Sequence, residues 1–169
     1  MHFIGFIMLQ AAGALFAHGC VAEKKRENDA LRSFCVMIEQ MQGLLETEGL
    51  PMPELLKILS ERCEGEAKTF VSSLSASLGE LGTCSFQELW QRALSEKTSI
   101  MEKSAVRELA ELGKRLGRYD LQSQLDMLAA CQKTMRQILE KRQSEESGDI
   151  HVTVGLIISA SLLLGILLI

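Results

Sequence analysis

Histidine is missing from the whole charged middle of this chain. His2, His18 and His151 are the three it has, and all lie in or beside its apolar ends. Cys–His and Ser–His pairings need a base beside the nucleophile, so they are unavailable in that middle. No Cys-x-x-Cys occurs, which leaves a zinc site without thiolate pairs as well as without imidazoles. Two prolines, one tryptophan and 5% aromatics are too few for an all-β sandwich or a nucleic-acid stacking platform. A net charge of −4 excludes a strongly basic nucleic-acid binder. Five cysteines is an odd number with no framework spacing, which argues against a disulfide-stapled secreted module. Gly113-x-x-x-Gly117 has the wrong spacing for a phosphate loop and falls in a helical stretch. Carboxylates such as Glu108 and Glu111 alternate with Lys114 and Arg115, the pattern of solvated surface pairs. No catalytic residue, cofactor or metal is expected, and the chain is read as a non-enzyme.

Charge is present, but all of it lies inside. All 18 Lys/Arg and 22 Asp/Glu of the 169 residues fall between Glu23 and Asp149. The flanks, Phe3–Ala22 and Ile150–Ile169, carry no formal charge. Twenty helical residues cover about 30 Å, the thickness of a bilayer core. Three regions are therefore expected: a membrane helix over 1–22, a domain over 23–149 and a second membrane helix over 150–169. Gln10 and His18 make the first span the weaker of the two. Lys24, Lys25, Arg26 and Arg32 follow the first segment, and Arg136, Lys141 and Arg142 precede the second. Such residues stay on the cytoplasmic side, which puts the middle domain in the cytoplasm and both termini across the membrane. Lys24-Lys25-Arg26 is also suited to anionic headgroups. Cys35, Cys63, Cys84 and Cys131 then sit where thiols remain reduced, and read as small buried hydrophobes. An alternative is an exported lipoprotein acylated at Cys20, since Ala17-His18-Gly19-Cys20 faintly matches a lipoprotein cleavage box.

The middle domain reads as an all-α, compact antiparallel bundle of about six helices. The first is expected from Glu27 to Thr47, with Leu31, Phe34, Cys35, Ile38, Met41 and Leu45 on one stripe. Gly49 and Pro51 end it. Pro53 suits the first position of a second helix, and Glu54 suits its N-terminal dipole. The third follows Gly65, with Ala67, Phe70, Val71, Leu74 and Leu78 inward. Ser85-Phe86-Gln87-Glu88 fits a capping box for the fourth, whose Trp90 reads as a core or groove anchor. The fifth spans Met101 to Leu116, and Gly117 breaks it. Asp120 can cap the sixth, from Leu121 to Gln143, whose seam is Leu121, Leu125, Leu128, Met135 and Leu139.

Lys114, Arg115, Arg118 and Tyr119 surround the Gly117 turn. Cations near a helix C-terminus are favourably placed whatever their role. The functional reading is a docking patch for an acidic partner. In the apolar flanks, Gly13-x-x-x-Ala17, Gly155-x-x-x-Ser159 and Ser161-x-x-x-Gly165 have the spacing that lets membrane helices approach closely.

Three stretches carry a family likeness. They are Leu109-Ala-Glu-Leu-Gly-Lys-Arg-Leu-Gly117-Arg-Tyr-Asp120-Leu-Gln-Ser-Gln124, Leu50-Pro51-Met52-Pro53-Glu54-Leu55-Leu56, and Ser85-Phe-Gln-Glu-Leu-Trp90-Gln-Arg-Ala93-Leu94. With the apolar ends, they resemble the stage III sporulation protein AB family of endospore-forming bacteria over nearly the whole chain. Leu50 stands where that family has threonine, and the last span keeps fewer of its glycines. The resemblance implies a fold like one cytoplasmic repeat of the type II secretion and type IV pilus platform protein, a six-helix bundle. It implies a platform role in the secretion-like channel between mother cell and forespore, in the mother-cell-derived membrane around the forespore. Implied partners are a sporulation motor ATPase, other membrane proteins of the channel and the lipid bilayer. A single repeat, where full platform proteins carry two, leaves room for self-association. The candidate docking set is Lys114, Arg115, Arg118, Tyr119, Asp120 and Gln124.

Overall fold

The computed structural model describes the backbone of residues 2–98, 100–117 and 120–167, and the side chains of 22–96, 98, 100–117, 120–144 and 159. These residues form α1 (His2–Glu48), α2 (Met52–Arg62), α3 (Gly65–Ser77), α4 (Phe86–Lys97), α5 (Lys103–Arg115) and α6 (Leu121–Leu167), with a 3-10 turn at Leu78–Glu80. Among them there is no strand, and an isolated bridge joins Leu81 to Cys84. Residues 27–140 form one compact unit; residues 1–26 and 141–169 form a second.

The helical expectation holds, with shifted ends. α1 and α6 do not stop at the borders drawn near Glu27 and Gln143. Residues 23–26, Glu-Lys-Lys-Arg, are good helix formers with nothing to break a turn, and the same holds for 140–146. α2 opens at Met52 with Pro51 as its N-cap, so Pro53 stands second rather than first. α5 opens at Lys103, two residues later than expected. α3 includes Gly65 instead of following it. Gly65 has φ 60, and a Cβ there would lie 3.4 Å from the Ser33 Cβ. The close approach lets the Ala67 amide donate to Ser33 Oγ at 3.2 Å.

Among the described residues no helix is long and apolar enough to cross a membrane. Apart from Ala22 and Ser159, the two expected spans and Cys20 lie outside the residues whose side chains are described.

In the 27–140 unit, α1 is the central element. Beyond the expected stripe it also buries Ala30, Met37 and Leu44, a face too wide for a single neighbour. It meets α3 through Phe34 and Phe70, whose rings lie 5.5 Å apart. It meets α6 through Glu39, which pairs with Arg136 at 3.0 Å. Phe70 then stands edge-on to Trp90 at 4.9 Å, and Phe86 completes the row 5.8 Å from Trp90. One aromatic file thus runs from α1 through α3 to α4. Each such ring pair adds about 1 kcal/mol beyond its burial.

Trp90 fixes the α4–α5 contact. It is fully buried, and its indole Nε1–H donates to the Leu109 carbonyl at 2.8 Å. The ring lies flat on Gly113, where an added Cβ would fall 2.1 Å from Trp90 Cδ1. Only glycine fits beneath that ring. The spacing that fails as a phosphate loop therefore has a packing cause.

Candidate docking site

The α5–α6 turn is built by the residues expected to dock a partner. α5 ends as the Leu116 amide donates to the Leu112 carbonyl at 3.0 Å. Gly117 follows with φ 76, a left-handed conformation that costs a side-chain-bearing residue about 1 kcal/mol or more. Its amide donates to Gln124 Oε1 at 3.2 Å. Asp120 caps α6: its carboxylate accepts from the Ser123 amide at 3.1 Å and from the Ser123 hydroxyl at 2.7 Å. Those two bonds hold the Asp120 carboxyl below the usual carboxylate range. Asp120 and Gln124 are thus spent on closing the turn.

The cations differ among themselves. Lys114 pairs with Glu111 at 2.6 Å, which holds the Glu111 carboxyl below its ordinary range. Arg115 is exposed and makes no ion pair with a described residue. It stands at the rim of a shallow α5–α6 groove of 250 Å³, floored by Leu112, Met127 and Cys131. Arg118 and Tyr119 lie outside the described residues.

Beside this turn is a feature that periodicity did not reveal. Met52, Pro53, Leu78, Leu81, Phe86, Gly113 and Leu116 line a pocket of 310 Å³ with Ser85, Gln87 and Gly117. The start of α2, the end of α3, the start of α4 and the end of α5 therefore share one end of the bundle. The three stretches that carry the family likeness each supply part of its wall. Leu81 is 43% exposed, one of few large apolar side chains so open to water. Sequence periodicity could not find it, because it lies in a loop between Gly79 and Gly82 and belongs to no helix face. An apolar residue stranded between two turn glycines is the signal that was available. Leu121, expected in the α6 seam, is also exposed, at 46%. As the first residue of α6 it precedes the turn at which the seam meets the core.

The other acids of this end are occupied. Glu80 pairs with Arg92 at 2.9 Å. Glu88 Oε2 accepts from the Ser85 amide at 2.7 Å, while Ser85 Oγ accepts from the Glu88 amide at 3.3 Å, which is the expected capping box. The Ser85 amide bond holds the Glu88 carboxyl below its usual range. Among the described residues no group of three or more His, Cys, Asp or Glu is placed to hold a metal. Burial pushes the Cys63 thiol up to about 11 and the Cys131 thiol to about 12, the reverse of a primed nucleophile.

These features define a class, an all-helical bundle with an apolar, partly basic recess at one end. The family model of stage III sporulation protein AB matches residues 2–169, so the chain belongs to that family, a family of sporulation proteins. A solved structure titled stage III sporulation protein AB has the same fold. It is 15% identical, with a TM-score of 0.64 over 73% of this chain and 98% of that one. No curated protein matches the chain.

Proposed function

We propose that this chain is a non-enzymatic platform subunit of a secretion-like channel between mother cell and forespore. Its two charge-free ends anchor it in the membrane, and its helical domain couples a cytoplasmic motor ATPase to the channel's membrane proteins. The observation that carries this reading is family membership over residues 2–169. Three features support it. The chain's charges stop at Glu23 and Asp149, leaving two apolar ends of bilayer length. Lys and Arg cluster on the inner side of both ends, the signature of a cytoplasmic middle domain. The bundle spends its described acids near the Gly117 turn on internal pairs and leaves Arg115 exposed, which suits an acidic partner. Arg118 and Tyr119 extend that docking set by sequence, while Asp120 and Gln124 hold the turn in shape. Further copies of the chain are a natural neighbour for a single repeat.

The test is binding of the full chain, in nanodiscs, to the sporulation motor ATPase of the same organism. Reversal of charge at Arg115 and Arg118 is expected to weaken binding about tenfold or more and to flatten its salt dependence. Absence of binding by a well-folded chain would remove the motor from the account.

A further inference from the structure

We propose that the recess formed by Met52, Leu78, Leu81, Phe86 and Leu116 receives one bulky apolar side chain of a partner segment, with a carboxylate of the same segment placed against Arg115. The inference rests on the motor-docking reading and adds the chemistry of the contact.

The recess is a poor candidate for a mere packing defect. Its floor is set by Gly113, held bare by the Trp90 ring, so it is built into the tightest contact of the bundle. Its volume of 310 Å³ has room for a leucine- or phenylalanine-sized group, and its walls are mostly apolar. Leu81 stands in its wall, 43% exposed, on a loop that the Glu80–Arg92 pair and the Ser85–Glu88 capping box hold on either side. An apolar side chain kept in water on a braced loop is stabilised by covering it.

Charge decides what covers it. On the α4–α6 side, Glu80, Glu88, Glu111 and Asp120 are each bonded within the chain. The cation left over is Arg115, one residue before the pocket wall at Leu116. On the α2 side the exposed charge next to the wall is Glu54. The rim is thus positive toward α5 and negative toward α2. An occupant with its acid on the α5 side meets both, and one with a base there meets repulsion. This points to an apolar anchor flanked by an acid, not to a basic peptide.

The experiment measures affinity of the full chain in nanodiscs for the motor ATPase of the same organism, in wild type, Leu81→Ser, Leu81→Met, Arg115→Glu and Val36→Ser. Val36 is the matched control, 44% exposed on α1 in a different pocket. Circular dichroism checks each fold. Leu81→Ser and Arg115→Glu are expected to weaken binding about tenfold or more, while Leu81→Met and Val36→Ser bind as wild type. Wild-type affinity in a folded Leu81→Ser chain would overturn this inference and leave the motor reading standing. An equal loss in Val36→Ser would also overturn it. Failure of the wild-type chain to bind would overturn both.

Discussion

Gly113 and Trp90 act as one unit. The indole needs the bare glycine beneath it, and its N–H takes up the Leu109 carbonyl. Gly113→Ala should therefore destabilise the fold by about 2–3 kcal/mol even though alanine is the better helix former, because the overpacking outweighs a propensity gain of about 1 kcal/mol. Urea unfolding of the domain's helices checks it; an unchanged or higher midpoint would mean that the ring can move aside. The sequence placed Trp90 as an anchor from its position on an apolar face. It did not show that Gly113 was its seat, since the contact joins positions on two helices and leaves no local periodicity.

The cysteines give a second residue-scale prediction. Cys35, Cys63 and Cys131 are buried, and burial raises all three thiols, whereas Cys84 is half-exposed near Arg92. Of these four, Cys84 should be labelled first by maleimide at neutral pH, with the other three reacting only on unfolding. Mass-spectrometric mapping of a labelling time course reads this directly. Their reading as small buried hydrophobes thus fits three of the four and misses Cys84, which sits in the loop that braces Leu81.

At the scale of elements, helix starts were more legible than helix ends. The capping box at Ser85 and the cap at Asp120 are local signals, and the structure shows both. The outer limits of α1 and α6 were missed because a change in hydropathy is not a change in backbone: the charged borders continue the helix. Leu81 was missed for the opposite reason, since a loop has no period to read.

The capping box also sets a pH dependence. Folding holds the Glu88 carboxyl below its usual value, so the unfolded chain takes up that proton first as acid is added. Its contribution is whole above the ordinary glutamate value of about 4.3 and is lost as pH falls through the depressed folded value. Glu88→Gln should lower the melting temperature at neutral pH and shrink the difference from wild type at the acid end. A difference independent of pH would assign the effect to something other than the carboxylate.

For the whole molecule, family, fold class and helix order were all recoverable from sequence, because short loops and strong stripes leave a six-helix chain few alternatives. The docking set was recovered as a place but not as a division of labour. Its acid and amide, Asp120 and Gln124, shape the turn, and Arg115 is left exposed beside an apolar recess drawn from four helix ends. A recess of this kind exists only after folding, because its walls are separated in sequence by whole helices.

The most direct measurement is hydrogen–deuterium exchange of the full chain in nanodiscs, with and without the motor ATPase. The account predicts new protection at 49–54, 78–87 and 113–121, the segments around the recess, and unchanged exchange at 29–40 and 62–65 around Val36. Protection centred on the Val36 face, with the recess segments unaffected, would contradict it.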